Sequence, residues 1–558
     1  MLSADESAPA EEAVDANTPA DEPPDSSDPS RGRWTAERAA VAAFAVLLAV
    51  AFFVLAWFGR KQWFRQDDWG VLTRNLGSVD GLFRPQNEHW STFPLIVYHV
   101  LYWAFGLHYR AYQICTIALH LTVVALLRVI MRRAGVGPWF ATIVAGVFVF
   151  FGSGRDNILL AIQISMVGSV VFGICQLLCA DRDGRFNRRD AAGLGFGALG
   201  ILASGVGPIM VIIVGISVFF RRGWRMAALH TAPLAAMYGL WYEAERKYMA
   251  IPSPSNPAKY ATQWTVSGER AIFVALGHFA VVAVLLGALL VVGLFLAWRK
   301  LPLAELRTRA AVPAAMLLGG PVLFTVISTQ RYWAGNEAAS PRYLAMATAF
   351  TLPALAVAAQ AVARQWQRFA PLVVVLLLIG VPANVSKLTL GAFFERFFAN
   401  EKATLSGLAY SPLAEQVPRD LKPHTELLTA PYVDVGFLLD AKRSGRIPPP
   451  PKLSLLKQDE IVVRLAVNQK IETPPADVTC RRYPRSLVVH PAKGTVYVLK
   501  QPVSISYRPP GGRVAAGAVR YDPGYGRVLV IELPGLERHL VHGIGLHPPK
   551  DPSFEFCT

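Results

Sequence analysis

Asp67 and Asp68 stand side by side just after a long apolar run, in the stretch Phe64-Arg65-Gln66-Asp67-Asp68-Trp69, and Asn87-Glu88-His89-Trp90 follows it. A carboxylate held where lipid meets water can take the proton of an incoming hydroxyl, and an acidic neighbour raises the pKa of one member of such a pair. An isolated Asp-Asp can also be a solvated pair that caps the next helix. Its place directly after an apolar run favours chemistry. Glu88 and His89 can bind an acceptor, or join Asp67 and Asp68 in holding a divalent metal such as Mg or Mn. They can equally be polar residues that open a helix at the water line. The chain contains no H-E-x-x-H or other strong metal-ligand spacing.

Three arginines lie between apolar runs in Gly154-Arg155-Asp156-Asn157, Gln330-Arg331-Tyr332-Trp333 and Ser340-Pro341-Arg342-Tyr343. A guanidinium at a helix end near the bilayer surface has the geometry to clamp a phosphate, and is also a common interfacial anchor. Arg155, Arg331 and Arg342 are therefore candidate substrate-binding residues.

The elements that must position these groups are membrane spans. Of 558 residues, 53% are hydrophobic and only 17% charged. Apolar runs flanked by arginine recur along the chain, which reads as a polytopic α-helical membrane protein. The run at about 39–58 has no small-residue cleavage site after it and is read as an uncleaved first span with its N-terminus in the cytoplasm. If residues 89–107 only lie along the surface, later spans fall near 110–131, 138–152, 164–180, 190–206, 207–221, 226–244, 271–298, 310–328, 343–363 and 369–386. That makes about 11 spans. It also places Arg128/Arg132/Arg133, Arg221/Arg222 and Arg364/Arg368 on the cytoplasmic side. Letting 89–107 cross would invert all of them. The outside loop 59–109 keeps Arg60, Lys61, Arg65, Arg74 and Arg84, a cost that handling an anionic lipid headgroup would justify.

The formal charge of +16 is unevenly spread, since residues 1–30 hold nine acidic residues and no Lys or Arg. This leader has almost nothing to bury and reads as a disordered acidic cytoplasmic tail. The arginines cluster at the ends of apolar runs, so membrane lipids are the expected polyanion and nucleic acid is discounted. Gly195-Phe-Gly197-Ala-Leu-Gly200 matches a dinucleotide pattern but lies inside an apolar run, where close helix packing is the better reading.

After the last span, 387–400 reads as an interfacial helix and 401–558 as a soluble, extracytoplasmic α/β or β-rich domain. A helix is expected at Asp434–Arg443 and strands at Ile461–Val467, Ser486–His490, Thr495–Lys500, Val503–Tyr507 and Arg527–Leu533. Gly511-Gly512 and Asp522-Pro523-Gly524 supply turns. In an oxidising compartment, Cys480 and Cys557 are free to form a disulfide.

The order of a first span, an outside loop with Asp67-Asp68, then Asn87-Glu88-His89-Trp90-Ser-Thr-Phe-Pro, then Phe105-Gly106-Leu107 and a run closed by Arg132-Arg133-Ala-Gly135, resembles the GT-C superfamily. These are integral membrane glycosyltransferases that use polyprenyl-phosphate sugars. The chain looks closest to actinobacterial members with a C-terminal extracytoplasmic domain. The resemblance covers roughly residues 38–345. It implies a catalytic role for Asp67 and Asp68 as base or metal ligand, loop helices lying along the membrane, and a lipid-phosphate contact at Arg342-Tyr343. It also implies a plasma-membrane enzyme whose partners are a polyprenyl-phosphate-linked sugar and a cell-envelope glycan acceptor. Two rival readings remain: a transporter or flippase of lipid-linked saccharides, and a non-catalytic envelope scaffold. No clear internal repeat supports the transporter.

Overall fold

The computed structural model describes residues 29–249, 254–299, 301–331, 337–423 and 430–471, with shorter stretches within 477–557. Residues 1–28 of the acidic leader, Tyr332 and Trp333, and the turns at Gly511-Gly512 and Asp522-Pro523-Gly524 lie outside the described residues.

Long apolar helices dominate, as the hydropathy requires. Among the described residues seven helices are long and apolar enough to cross a membrane, from Thr35–Phe58 to Gln367–Lys387. A bent pair, Pro138–Val149 with Gly152–Leu159, makes an eighth when counted as one span. The chain is thus a polytopic helical membrane protein, with fewer clear spans than the eleven expected. Two expected spans form helices of only 16 and 17 residues, Arg188–Ala203 and Val206–Arg222, short for a crossing that takes about 20 residues. The expected span 271–298 is two helices, Pro257–Gly277 and Ala280–Trp298. They break at His278, whose φ of 61° is left-handed and cannot continue a right-handed helix.

One buried cluster runs through the bundle, from Phe44 and Leu55 to Leu377 and Leu388. At one end of the bundle, arginines tie the connections together. Asn187 caps Arg188–Ala203 in a reciprocal box with Asp190, whose buried carboxylate meets Arg222 at 2.6 Å and Arg182 at 3.0 Å. Asp181 pairs with Arg221 and, at 3.5 Å, with Arg133.

The other end is capped by a second core built from two parts of the chain far apart in sequence. Trp63, Phe64, Trp69, Leu95 and Tyr98 of the first loop pack in one cluster with Leu405, Leu439, Leu465 and Leu529 of the C-terminal region. Leu107 N–H donates to Arg446 O at 2.6 Å. Gly106 (φ 56°) makes this junction, because a Cβ there would stand 2.4 Å from the Arg446 carbonyl oxygen. The helix Thr92–Phe105 spans 14 residues, about 21 Å at the helical rise, too short to cross a bilayer core of about 30 Å. It buries Leu95 and Tyr98 and exposes Ile96, Val100 and Trp103.

The C-terminal region differs from expectation in two places. Helix Ala392–Tyr410 is continuous, so the division placed at residue 400 falls inside it. Ile461–Val467 is not a strand: Leu455–Ala466 is a helix, and β1 (Val467–Ile471) begins where it ends. The alternating Ile461, Val463 and Leu465 suggest a strand, but all three are buried on a helix capped by the Ser454 side chain and braced by Arg464–Glu460 at 2.9 Å. The helix Val435–Arg443 starts at its Asp434 cap, as expected.

The remaining strands are β2 (Cys480–Pro484), β3 (Ser486–Val489), β4 (Val496–Leu499), β5 (Val503–Tyr507), β6 (Val519–Tyr521), β7 (Arg527–Ile531), β8 (His539–Gly543) and β9 (Ser553–Cys557). They form two antiparallel sheets in the orders β1-β7-β4-β9-β2 and β3-β8-β5-β6. Cys480 and Cys557 face each other across β2 and β9 and are joined by a disulfide.

Candidate functional site

The two aspartates begin the short helix Asp67–Leu72, where consecutive residues point about 100° apart. That angle separates their fates. Asp67 looks into an open cleft, and its Oδ1 accepts from Asn87 Nδ2 at 2.8 Å. Asp68 is 2% exposed and turns inward. Its Oδ1 accepts from Tyr98 Oη at 2.5 Å and its Oδ2 from the Arg65 backbone N–H at 2.9 Å. Burial pushes its carboxyl up to about 6, against the lowering pull of those two hydrogen bonds. The expected catalytic pair is therefore one cleft-facing carboxylate and one interior carboxylate that folds the loop.

Across the cleft, Gln86 and His89 exchange both backbone hydrogen bonds at 3.0 Å and close a two-residue turn. Its central residues Asn87 (φ 48°) and Glu88 (φ 68°) are both left-handed, as a type I′ turn demands. Asparagine accepts that conformation readily. Glutamate does so at a cost. Gln66, beside Asp67, is also at positive φ, 24°. Three of the four described non-glycine residues with positive φ thus line this one cleft. Strain of this kind persists where surrounding structure holds it, and gathers at functional sites.

The strained turn sends the Asn87 side chain to Asp67 and the Glu88 side chain to Arg331. Glu88 Oε2 meets Arg331 Nη2 at 3.1 Å, both side chains about one-fifth exposed. Arg342 opens the helix Pro341–Gln365, where its backbone carbonyl accepts from Asn157 Nδ2 at 3.0 Å and its guanidinium lies 5.0 Å from the Tyr343 ring centre. Burial, then the nearby charges of Arg331 and Arg342, push His89 down to about 4, so at neutral pH it is an uncharged imidazole. Gly205 lets it sit there: a Cβ at that position would stand 2.7 Å from His89 Nδ1.

The cleft, of about 340 Å³, is lined by Asp67, Glu88, His89, Arg331, Arg342 and Tyr343, all expected from the sequence. It also takes in Gln66, Gln86, Ser91 and Gln163, which carry no motif that would have singled them out. Arg155, also expected, does not line it. Its guanidinium reaches Lys387 O at 3.5 Å and Asp156 at 3.9 Å instead.

The polar cleft opens into an apolar groove of about 800 Å³ walled by Val206, Ile209, Leu240, Val326, Ile327 and Met346. His89, Met166, Arg331 and Tyr343 line both spaces, so the polar and apolar parts adjoin. A ligand with a charged head and a long hydrocarbon tail fits such a shape.

Among the described residues no three His, Cys, Asp or Glu side chains gather as a metal-holding group. The donor set of the cleft agrees: Asp68 is committed inward and Glu88 to Arg331. With Asp67 left as the one uncommitted carboxylate of the pair, the residues present do not fit the Mg or Mn site anticipated at Asp67 and Asp68.

No known family model, no curated protein and no solved structure matches the chain.

Proposed function

We propose that this protein is an inverting membrane glycosyltransferase that moves a sugar from a polyprenyl-phosphate donor to a cell-envelope acceptor. One observation carries the reading: Asp67, whose carboxylate is not the one paired to Arg331, lines a cleft together with two arginines beside an apolar groove. The prenyl chain occupies the groove and the phosphate lies against Arg331 and Arg342. The acceptor hydroxyl oxygen attacks the anomeric carbon from the Asp67 side and passes its proton to the Asp67 carboxylate. The bond from the anomeric carbon to the phosphate oxygen breaks, and polyprenyl phosphate leaves with that electron pair. Arginine charge stabilises the departing phosphate. Neutral His89 offers a hydrogen bond to the sugar without competing with the arginines for the phosphate. The Cys480–Cys557 disulfide fits a C-terminal region on the oxidising, extracytoplasmic side of the plasma membrane, and so a site that faces out.

The test is complementation of a deletion strain with wild type, Asp67→Asn and Asp68→Asn, with envelope glycans analysed and membrane protein levels measured. Asp67→Asn is expected to reach the membrane at normal levels and to leave the glycan missing. Full restoration by Asp67→Asn would overturn the reading in favour of a transporter or scaffold.

A further inference from the structure

The helices that bring Arg331 and Arg342 to the cleft carry a second arginine pair at their other ends. Arg309 stands two residues before Ala311–Arg331, and Arg364 lies in the last turn of Pro341–Gln365. Both line a separate cavity of about 260 Å³ at the end of the bundle opposite the cleft, with Trp298 at its edge. Its floor is the turn after Tyr109–Arg133. There the Gln360 side chain donates to Gly135 O at 3.0 Å and accepts from Gly137 N–H, which holds the turn in place.

The two guanidiniums are poorly neutralised. Arg309 has Glu305 at 3.6 Å, a pair about half exposed on both sides and so of little strength. Among the described residues Arg364 forms no ion pair. Both arginines are exposed at the bundle end, and two cations sharing one cavity with so little opposing charge attract an anion. The space is smaller than the roughly 300–1,000 Å³ of pockets that enclose whole drug-sized ligands, which suits a phosphate with the rest of its molecule outside. Exposed apolar residues flank the cavity on the helix Ala280–Trp298, where Val291 and Phe295 are 70% and 63% exposed. A molecule reaching the cavity beside that surface would lie in hydrocarbon.

We propose that this cavity binds the phosphate of an anionic phospholipid headgroup through Arg309 and Arg364, as a lipid site separate from the cleft. The inference does not depend on the reaction performed there.

The test uses the full-length protein in neutral detergent. Its thermal midpoint is followed with added phosphatidylglycerol, phosphatidylcholine or inorganic phosphate, for wild type, Arg309→Gln, Arg364→Gln and Arg364→Lys. Retained lipid is counted by native mass spectrometry. Phosphatidylglycerol is expected to raise the wild-type midpoint by several degrees and to remain bound at one copy, with phosphatidylcholine ineffective. Each Gln variant is expected to lose most of that rise, and Arg364→Lys to keep it, which separates lost charge from lost folding. Equal rises in wild type and both Gln variants would overturn the site. A rise with inorganic phosphate matching that with phosphatidylglycerol, and lost in the Gln variants, would reassign it to a soluble anion and overturn the lipid source.

Discussion

Arginines stand at or just beyond both ends of the helices Ala311–Arg331 and Pro341–Gln365, and the two ends have different surroundings. At 1.5 Å per residue these helices are about 30 and 37 Å long, so the arginine pairs are separated by about a bilayer core. At the cleft end, Arg331 and Arg342 share a space with Asp67, His89 and three residues at positive φ, Gln66, Asn87 and Glu88, the last of them paired with Arg331. At the opposite end, Arg309 and Arg364 face a shallow cavity with one weak acidic neighbour. The same residue type lines an acidic cleft with strained backbone in one place and a simple positive surface in the other. What differs is the acidic loop packed against it and the strain that loop sustains.

The comparison is broken most directly at Asp67. Asp67→Asn should lower sugar transfer in membrane vesicles by about 10²- to 10⁴-fold, the worth of a general base, with protein level unchanged. Retained transfer would leave the cleft end no more functional than the other.

Arginine replacement comes next. Arg331→Gln or Arg342→Gln should reduce transfer by about 10²- to 10³-fold, and lysine at Arg342 should fail to restore it, because a point charge does not reproduce a planar two-pronged contact. At the opposite end lysine should serve as well as arginine, since membrane attraction there needs only charge, about 1 kcal/mol per cation. Steady-state rates at the cleft and lipid-dependent midpoints at the cavity read the two arms. Equal tolerance of lysine at both ends would erase the distinction.

A smaller effect is expected from Gly205→Ala. The added methyl would push His89 out of position, and a displacement near 1 Å should cost about 10- to 100-fold in rate with little change in membrane level. A rate unaltered by this substitution would remove His89 from the site.

The smallest effect, on stability alone, separates the neighbouring aspartates. The folded pKa of Asp68, about 6, lies above its ordinary value of 3.8, so the folded protein holds this proton more tightly than the unfolded chain. Its contribution therefore declines as pH rises from about 4 to about 6, by on the order of 3 kcal/mol. Asp68→Asn abolishes that titration but places an amide donor against the Arg65 N–H. The stability advantage of wild type over the variant should shrink across this range, by roughly 2–5 °C in thermal midpoint. A constant difference from pH 4 to pH 7 would show that Asp68 is already ionised at the lower limit.

Much of the molecule was legible in the chain because hydropathy and charge act locally. Twenty apolar residues make a helix that can cross a bilayer whatever surrounds them, and this is why the apolar runs at 39–58, 110–131, 343–363 and 369–386 lie within long apolar helices and 310–328 does so but for its first residue. The helix expected at Asp434–Arg443 was legible for the same reason, and the structure makes Asp434 its cap. Errors arose where local pattern is ambiguous: alternating Ile461, Val463 and Leu465 suit a strand or one side of a short helix, and the run through His278 gives no sign of a break.

By itself the sequence determined that this chain lives in a membrane, that its first loop carries adjacent carboxylates, and that arginines mark its helix ends. The tertiary structure alone decided which carboxylate is available. Asp67 and Asp68 are chemically identical, and only the helical turn between them sends one into the cleft and the other against Tyr98. Likewise nothing in Arg155, Arg331 or Arg342 distinguishes them until the fold carries two to Asp67 and leaves the third beside Lys387. Proximity between residues hundreds of positions apart depends on how helices pack, a property of the whole chain that no local stretch encodes.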